Sequence, residues 1–515
     1  MLLLRALHVP PVPIRIRSVA GRNEFGILKG TGFTRVATTI CSAIRDDCFR
    51  VAMTPHRAGF GHRFRLSWAS PGIFAGSFAL LILAGSLLLW LPVSVRGPGL
   101  PYLDALFQST SAVCVTGLTT VDIGTRLSLA GQCVILALIQ IGGLGIMTYS
   151  LLLVTIVQRS GSPDQSEWLA NVFTSDRRLP PRRMLRWIFL VTAVCEAVGA
   201  LLLTFAFLRQ HQQLSDAAFD GVFHAVSAFC NAGFSTFSYG LLPFRDDLLV
   251  NVIVMVLIVT GGLGFIVTFE LWRLVTGRRR WFKLLLQTKL VLFATLILIL
   301  SGTVAIFVLE MYGVFGGLGL KSRVLASLFQ SVTARTAGFN TVDIAALSND
   351  TLMILIVLMF IGAGPGSCAG GVKVTTVGVL VLSVFARIHD RPKPEAWNRS
   401  VPGDTIARAA ALFFGAMLLI AVGTLALQLT ELAGVTVEAS RAKFLPLLFE
   451  VTSAFGTVGL STGITPTLTP AGKIVIIGIM FVGRVGPLTL AATLIGKASR
   501  RRAALMYPEE DLMIG

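Results

Sequence analysis

Four short stretches of this 515-residue chain share one plan. They read ALFQSTSAVCVTGLTTVD (Ala105–Asp122), GVFHAVSAFCNAGFSTFS (Gly221–Ser238), SLFQSVTARTAGFNTVD (Ser327–Asp343) and LLFEVTSAFGTVGLSTG (Leu447–Gly463). Each passes from a phenylalanine through a semi-polar run to a small-residue turn. The turn glycines, Gly117, Gly233, Gly338 and Gly459, stand 10, 10, 9 and 10 residues after Phe107, Phe223, Phe329 and Phe449. They follow one another at intervals of 116, 105 and 121 residues, which marks an internal repeat. The chemistry open to such turns is cation coordination. Four loops around an axis can replace an ion's hydration shell with backbone carbonyls, and glycine permits the backbone angles that aim them. The candidate loops are Val115-Thr116-Gly117-Leu118, Asn231-Ala232-Gly233-Phe234, Thr336-Ala337-Gly338-Phe339 and Thr457-Val458-Gly459-Leu460.

The elements that must position these loops follow from length. A helical run of about three turns before each glycine is too short to cross a bilayer, which takes about 20 residues. Such runs fit re-entrant half-helices entering from one side, with their negative dipole ends toward the ion. Loops at membrane depth are tolerated only when buried in protein or lining a water-filled path. The composition agrees, with 54% hydrophobic and 14% charged residues. Charge-free runs cover Leu66–Val95, Leu127–Gln158, Leu248–Phe269, Leu290–Leu309, Thr351–Val372 and Ala409–Thr430. Trp187–Leu208 qualifies despite Glu196, and Ile474–Gly496 despite Arg484. The expectation is an all-α integral membrane protein of four tandem TM–pore-helix–TM repeats. It has eight TM helices and four re-entrant half-helices in pseudo-fourfold arrangement around one pore. The repeats are expected at residues 66–158, 184–276, 285–386 and 406–497.

The net charge of +18 is concentrated after the second span of each repeat. The clusters are Arg177, Arg178, Arg182, Arg183 and Arg186; Arg278, Arg279, Arg280 and Lys283; Arg387, Arg391 and Lys393; and Lys497, Arg500, Arg501 and Arg502. By the positive-inside rule these are cytoplasmic, which places both termini inside and opens the filters outward. Topology therefore accounts for the basicity, and no nucleic-acid partner is expected. Residues 1–65 form a basic extension without a continuous apolar stretch or a signal-peptide core. Met53 is the expected true start, with residues 1–52 disordered or an annotation artefact. Residues 498–515 are expected to be a cytoplasmic tail.

Each second span carries glycines in its middle: Gly142, Gly143 and Gly145; Gly261, Gly262 and Gly264; Gly362, Gly364 and Gly366; Gly483 and Gly486. In the first two repeats close helix packing is the favoured reading. In the third, GAGPGSCAGGVK (Gly362–Lys373) adds Pro365 and further glycines, a combination that breaks a helix. A broken segment at mid-membrane marks a cavity or ion path. Arg484, in MFVGRVGPL, aligns with the same region and is expected to face protein interior or water. Its pore role is weighed against pairing with a buried carboxylate such as Glu196.

The four turns, GAGPGSCAGGVK and VGRVGPLT together resemble the Trk/Ktr/HKT superfamily of potassium transporters, closest to the KtrB-like membrane subunit of bacterial Trk/Ktr systems. The resemblance covers about Leu66 to Lys497. It implies potassium uptake driven by the membrane potential, with potassium held only at the filter and sodium as a candidate activator. It implies a gate in the third repeat, formed by Gly362, Gly364, Pro365, Gly366, Ser367, Gly370, Gly371 and Lys373, with Arg484 projecting toward the pore beneath the filter. Cys368 stands where a small hydroxyl residue is expected. The resemblance further implies a homodimer in the lipid of the cell membrane and a separate cytosolic ring of nucleotide-binding regulatory subunits. Serine at the first filter glycine is associated with sodium preference in plant relatives, so Gly117 favours potassium.

The remaining reactive side chains do not build an enzyme. The six histidines lack metal-ligand spacing and the seven cysteines form no zinc or disulfide pattern. No Walker A loop is present, and GLSTG (Gly459–Gly463) matches a nucleophile elbow only outside its strand–helix context. No cofactor is expected. Glu450 is read as an acid at the positive start of the fourth half-helix, and Arg335 as pointing back to an acid such as Asp343. Two readings stand beside potassium uptake: a sodium-preferring or poorly selective cation transporter, and an inverted-repeat solute carrier. The latter requires half-helices entering from opposite faces, whereas the basic loops recur on one face.

Overall fold

The computed structural model describes residues 71–159, 181–209, 213–432, 434 and 436–486. The extension, Met53 and the C-terminal tail lie outside them. The described chain is almost wholly helical, apart from a hairpin of β1 (Glu395–Ala396) and β2 (Arg399–Ser400).

One sequence of elements recurs four times. First comes α1 (Pro71–Trp90), then the short α2 (Tyr102–Val113) and α3 (Leu129–Arg159). Next are α4 (Pro181–Phe207), α5 (Leu214–Phe229), and α6 (Leu248–Leu263) with α7 (Phe265–Val275). These are followed by α8 (Leu286–Leu309), α9 (Leu320–Thr333), and α10 (Asn349–Phe360) with α11 (Val374–Ile388). Last come α12 (Gly403–Glu431), α13 (Val437–Gly456) and α14 (Pro470–Val485). The first helices are apolar on all sides and leave large side chains such as Leu80, Leu201, Val304 and Leu418 exposed, as a helix does where its solvent is lipid. The short helices are sheathed instead. In α2 even Gln108, Ser109, Thr110 and Ser111 are fully buried. At 12 residues, α2 extends about 18 Å, too little to cross a bilayer.

By length and composition, three described helices can cross a membrane: Arg183–Phe207, Leu286–Leu309 and Gly403–Glu431. Of the second helices, those of the second and third units are broken, whereas α3 runs on unbroken. Gly264, at φ 89°, separates α6 from α7, and the pair is bent by 108°. Gly264 alone departs from the packing reading in the second repeat, since Gly261 lies against the Phe229 carbonyl at the end of α5. The freed groups are taken up elsewhere: Phe265 N–H donates to Gly366 O (3.1 Å), and Gly364 N–H donates to Gly262 O (2.9 Å). In the third repeat thirteen residues, Ile361 to Lys373, run without a helix between α10 and α11. The glycines of the first repeat do sit in one unbroken helix, and Gly142 lies against the Val113 carbonyl at the end of α2.

The second helices are started by side-chain caps that satisfy orphan N–H groups. Asp247 accepts from Leu249 and Val250, Ser348 from Thr351, and Thr469 from Gly472. Two carboxylates at the ends of first helices hold these caps in place. Glu310 accepts from Ser348 N and Oγ, and Glu431 from Thr469 N and Oγ1.

Each second helix also packs on the short helix of the next unit: α3 on α5, α6 on α9, α10 on α13, and α14 back on α2. The last contact closes the ring. It carries a salt bridge, Lys473 Nζ to Asp104 Oδ1 at 2.7 Å, with both side chains mostly buried. Asp104→Asn is expected to weaken that closure by about 1–3 kcal/mol. The drop should appear in thermal unfolding of the detergent-solubilised protein and be restored by exchanging the two charges. An unchanged midpoint in Asp104→Asn would show that the bridge contributes nothing to closure.

Candidate ion-coordinating turns

The four turns adopt one backbone conformation. Val115, Asn231, Thr336 and Thr457 have φ of 55°, 60°, 72° and 49°. Gly117, Gly233, Gly338 and Gly459 have φ of 98°, 70°, 79° and 94°. The alternation of left-handed and ordinary residues makes successive peptide groups point the same way. For the three β-branched residues among the first set the conformation is strained, of order 1–3 kcal/mol each, and persists only where the surroundings impose it.

The turns meet one another in cyclic order. A Cβ on Gly117 would strike the carbonyl of Ala232, one on Gly233 that of Ala337, one on Gly338 that of Val458, and one on Gly459 that of Thr116. The four glycines thus sit shoulder to shoulder in a closed ring, each facing a carbonyl of its neighbour. The carbonyls that the four glycines face belong to Thr116, Ala232, Ala337 and Val458, each among the residues singled out in the turns.

Two supporting sets of residues were missed from the sequence. The first is a hydroxyl near the end of each short helix. Ser111 Oγ accepts from Gly117 N–H (3.1 Å) and Ser453 Oγ from Gly459 N–H (3.1 Å). Ser227 Oγ donates to Phe234 O (2.8 Å), and Thr333 Oγ1 donates to Phe339 O (2.6 Å). The signal was present: a Ser or Thr stands six, six, five and six residues before the glycine. The second is the residue after each phenylalanine: Gln108, His224, Gln330 and Glu450, all fully buried. Gln108 donates to Val121 O (3.1 Å), and His224 Nε2 lies 2.9 Å from Ser235 Oγ. Glu450 accepts from Ser461 and Thr465 hydroxyls, beyond the fourth turn. Glu450 therefore does not sit at a helix start. That helix begins at Val437 and continues through Pro446, so the expected macrodipole role is replaced by bracing of the loop.

The broken segment of the third unit lies against this ring. Gly370 packs on the side chain of Thr457 and Gly371 on the backbone of Gly456. Gly362 N–H donates to Val372 O (2.8 Å), and Val374 N–H donates to Ala363 O (3.1 Å), which pins the two ends of the segment together. Within it Gly366 and Gly371 have positive φ, Ser367 Oγ donates to Gly364 O (2.6 Å), and Lys373 Nζ donates to Ala369 O (2.6 Å). Pro365 O faces Gly264, at the break between α6 and α7.

Arg484, 2% exposed, donates to Cys368 O in this segment and to Gly142 O of α3 (3.0 Å). Among the described residues it contacts no carboxylate, so the alternative of pairing with Glu196 is set aside. Glu196 instead accepts from Gln140 Nε2 (3.0 Å). Arg335 also departs from expectation. It makes long hydrogen bonds to Thr295 O (3.4 Å) and Gly362 O (3.5 Å), while Asp343 caps a helical turn by accepting from Ala345 N–H. Arg335, just past the end of α9, thus reaches α8 and the broken segment.

Comparison with known proteins gives this geometry its context. The family model "TrkH: Cation transport protein" matches residues 75–500. The chain belongs to the TrkH family of cation transport proteins. It is 38% identical over 447 residues to the Ktr system potassium uptake protein B of Bacillus subtilis, covering 86% of this chain and 96% of that protein. It is likewise 38% identical over 445 residues to the potassium/sodium uptake protein NtpJ of Enterococcus hirae, covering 86% and 96%. The crystal structure of the potassium transporter TrkH from Vibrio parahaemolyticus matches with a TM-score of 0.64 at 21% identity, over 90% of this chain and 92% of that one. The fold is thus that of a TrkH-family membrane protein, and the chain is a transporter rather than an enzyme.

In this TrkH-family chain the break at Gly264 is a test of the interlock. Alanine there must adopt a left-handed backbone and displace the Pro365 carbonyl. Gly264→Ala is expected to cost at least about 2 kcal/mol in thermal stability. Gly415→Ala, on α12 with nothing within 4 Å of the added carbon, should leave the midpoint unchanged or raised. Equal effects at both positions would contradict the interlock.

Proposed function

We propose that the chain is the ion-conducting subunit of a potassium-uptake system, passing potassium inward through a pore formed by its four turns. The observation that carries the reading is the closed ring, in which each turn glycine faces its neighbour's carbonyl, in a chain 38% identical to two proteins named for potassium uptake. The four recurring units would be four TM–pore-helix–TM repeats about one axis, their short helices entering from outside and both termini in the cytoplasm. Carbonyls of Thr116, Ala232, Ala337 and Val458 would replace part of the ion's hydration shell. Selectivity would follow from the fixed spacing that the Ser111, Ser227, Thr333 and Ser453 hydroxyls impose.

The Gly362–Lys373 segment would be the gate. It is held by few backbone hydrogen bonds, is rich in glycine, and packs against the fourth turn, so its displacement need not disturb a helix. Arg484 would set the barrier beside it. A unit charge about 8 Å from a passing cation costs about 2 kcal/mol at an effective dielectric of about 20. That is enough to suppress leak and small enough for a gate movement to remove. Because the chain has no nucleotide motif, control would come from a cytosolic nucleotide-binding partner, and assembly as a homodimer would pair two pores. A relative named for both potassium and sodium keeps a sodium-permeable or sodium-activated variant as the second reading.

The deciding experiment is potassium-limited growth and rubidium uptake in a potassium-uptake-deficient bacterium. The wild type, expressed with its regulatory partner, should restore both. Gly338→Ser, at equal membrane abundance, should lower discrimination against sodium by tenfold or more. Arg484→Gln should raise uptake in the absence of activating partner. A well-expressed wild type that moves neither rubidium nor potassium would falsify the assignment, and sodium uptake would then test the second reading.

A further inference from the structure

Beside the gate segment lies a pair of thiols that the transport reading does not use. Cys230 caps the C-terminus of α5, and Cys368 lies in the segment itself. Both are fully buried and neither is in a disulfide. Their sulfurs lie 2.8 and 3.5 Å from the point where a Cβ on Gly143 would stand. The absent side chain lets two sulfurs close on one place, and the Cys368 side chain is the hydrogen-bonding neighbour of the Cys230 thiol. Cys230 Sγ also approaches Gln140 Oε1 (3.6 Å) and Glu196 Oε1 (3.8 Å). Arg484, whose guanidinium has no carboxylate partner and donates to Cys368 O, counts the thiols of Cys368, Cys114 and Cys230 as its electrostatic neighbours.

We propose that Cys230 and Cys368 form a two-thiol site for a soft univalent metal ion of the silver(I) or copper(I) class, at the junction of the second short helix and the gate segment. Thiolate sulfur selects soft cations, and two sulfurs suffice for a d10 univalent ion that prefers linear coordination. Potassium, a hard cation, gains nothing from sulfur, so the site does not compete for it. Binding is a proton exchange without redox chemistry: two S–H bonds break, two metal–sulfur bonds form, and two protons leave. The product is a bis-thiolate complex of charge −1. Arg484 is the compensating charge. The guanidinium that opposes a free cation at this depth stabilises the anionic complex, as cations beside cysteines favour the thiolate. A soft ion of potassium-like charge and size that follows the pore is therefore arrested at the gate and ties the segment to α5.

This inference rests on the pore reading for its functional consequence but not for the binding itself, and the test separates the two. Silver nitrate in chloride-free buffer is titrated into the purified full-length protein, and bound silver is counted for wild type, Cys230→Ser, Cys368→Ser and Cys114→Ser. Alanine replaces serine for any variant that is not monodisperse. The same chains are assayed for silver inhibition of rubidium uptake, each relative to its own uptake without silver. The expected result is one tightly bound silver fewer per chain in the Cys230 and Cys368 variants and none fewer in Cys114→Ser. The silver needed for half-inhibition should rise at least tenfold in the first two, and dithiothreitol should reverse the block in wild type. Undiminished silver binding in both variants overturns the site. Diminished binding with an unshifted inhibition curve overturns its position on the ion path. Absence of rubidium uptake in wild type would sink the pore reading alone, leaving the binding count to decide the thiol pair.

Discussion

A peptide group within a membrane must find a hydrogen-bond partner, and this structure is arranged around the places where that rule is relaxed. The turns at Gly117, Gly233, Gly338 and Gly459 leave the helical path through residues of positive φ. Their N–H groups are therefore taken by the helix ends just before them. Thr116, Ala232, Ala337 and Val458 each donate to the carbonyl of the hydroxyl-bearing residue five, five, four and five positions earlier. With these donors consumed, each turn glycine is left facing a neighbour's carbonyl.

The second relaxation is the broken segment of the third unit, whose solution is different. Its backbone groups pair with those freed at the Gly264 break in the second unit, so two interrupted helices satisfy each other. This explains why a glycine set that packs quietly in α3 produces a sharp bend between α6 and α7, although the local sequences GGLGI and GGLGF are nearly the same. The difference lies in what faces them. Gly264 faces the Pro365–Gly366 carbonyls, whereas Gly145 faces only Phe78.

The legible part of the chain was the part set by short-range rules. The four turns, the break at Gly362–Lys373 and the apolar helices all follow from glycine spacing, proline and hydropathy. What could not be read was pairing across the ring. Arg335 and Asp343 are close in sequence and of opposite charge, yet the helix end sends Arg335 to Thr295 and Gly362 while Asp343 is needed as a cap. Glu450 was misplaced because the half-helix was counted from Phe449, whereas the helix begins at Val437 and continues through Pro446. The hydroxyls before each turn were visible but unremarkable among many Ser and Thr residues. Only the φ pattern of the turns shows why a donor or acceptor is required there. The side of the membrane on which the termini lie is carried by charge alone and leaves no trace in backbone geometry.

The residues that brace the four turns are not alike. At the position after the phenylalanine the chain places glutamine, histidine, glutamine and glutamate, all buried. A pore assembled from four identical subunits would repeat any such choice fourfold, and a single buried acid would become four mutually repelling ones. Fusing the quarters into one polypeptide removes that constraint. One quadrant can carry a carboxylate, another a buried arginine, and a third a severed helix, while the glycine ring they share stays regular. Differences between the quadrants need not reach the glycine ring, where all four meet.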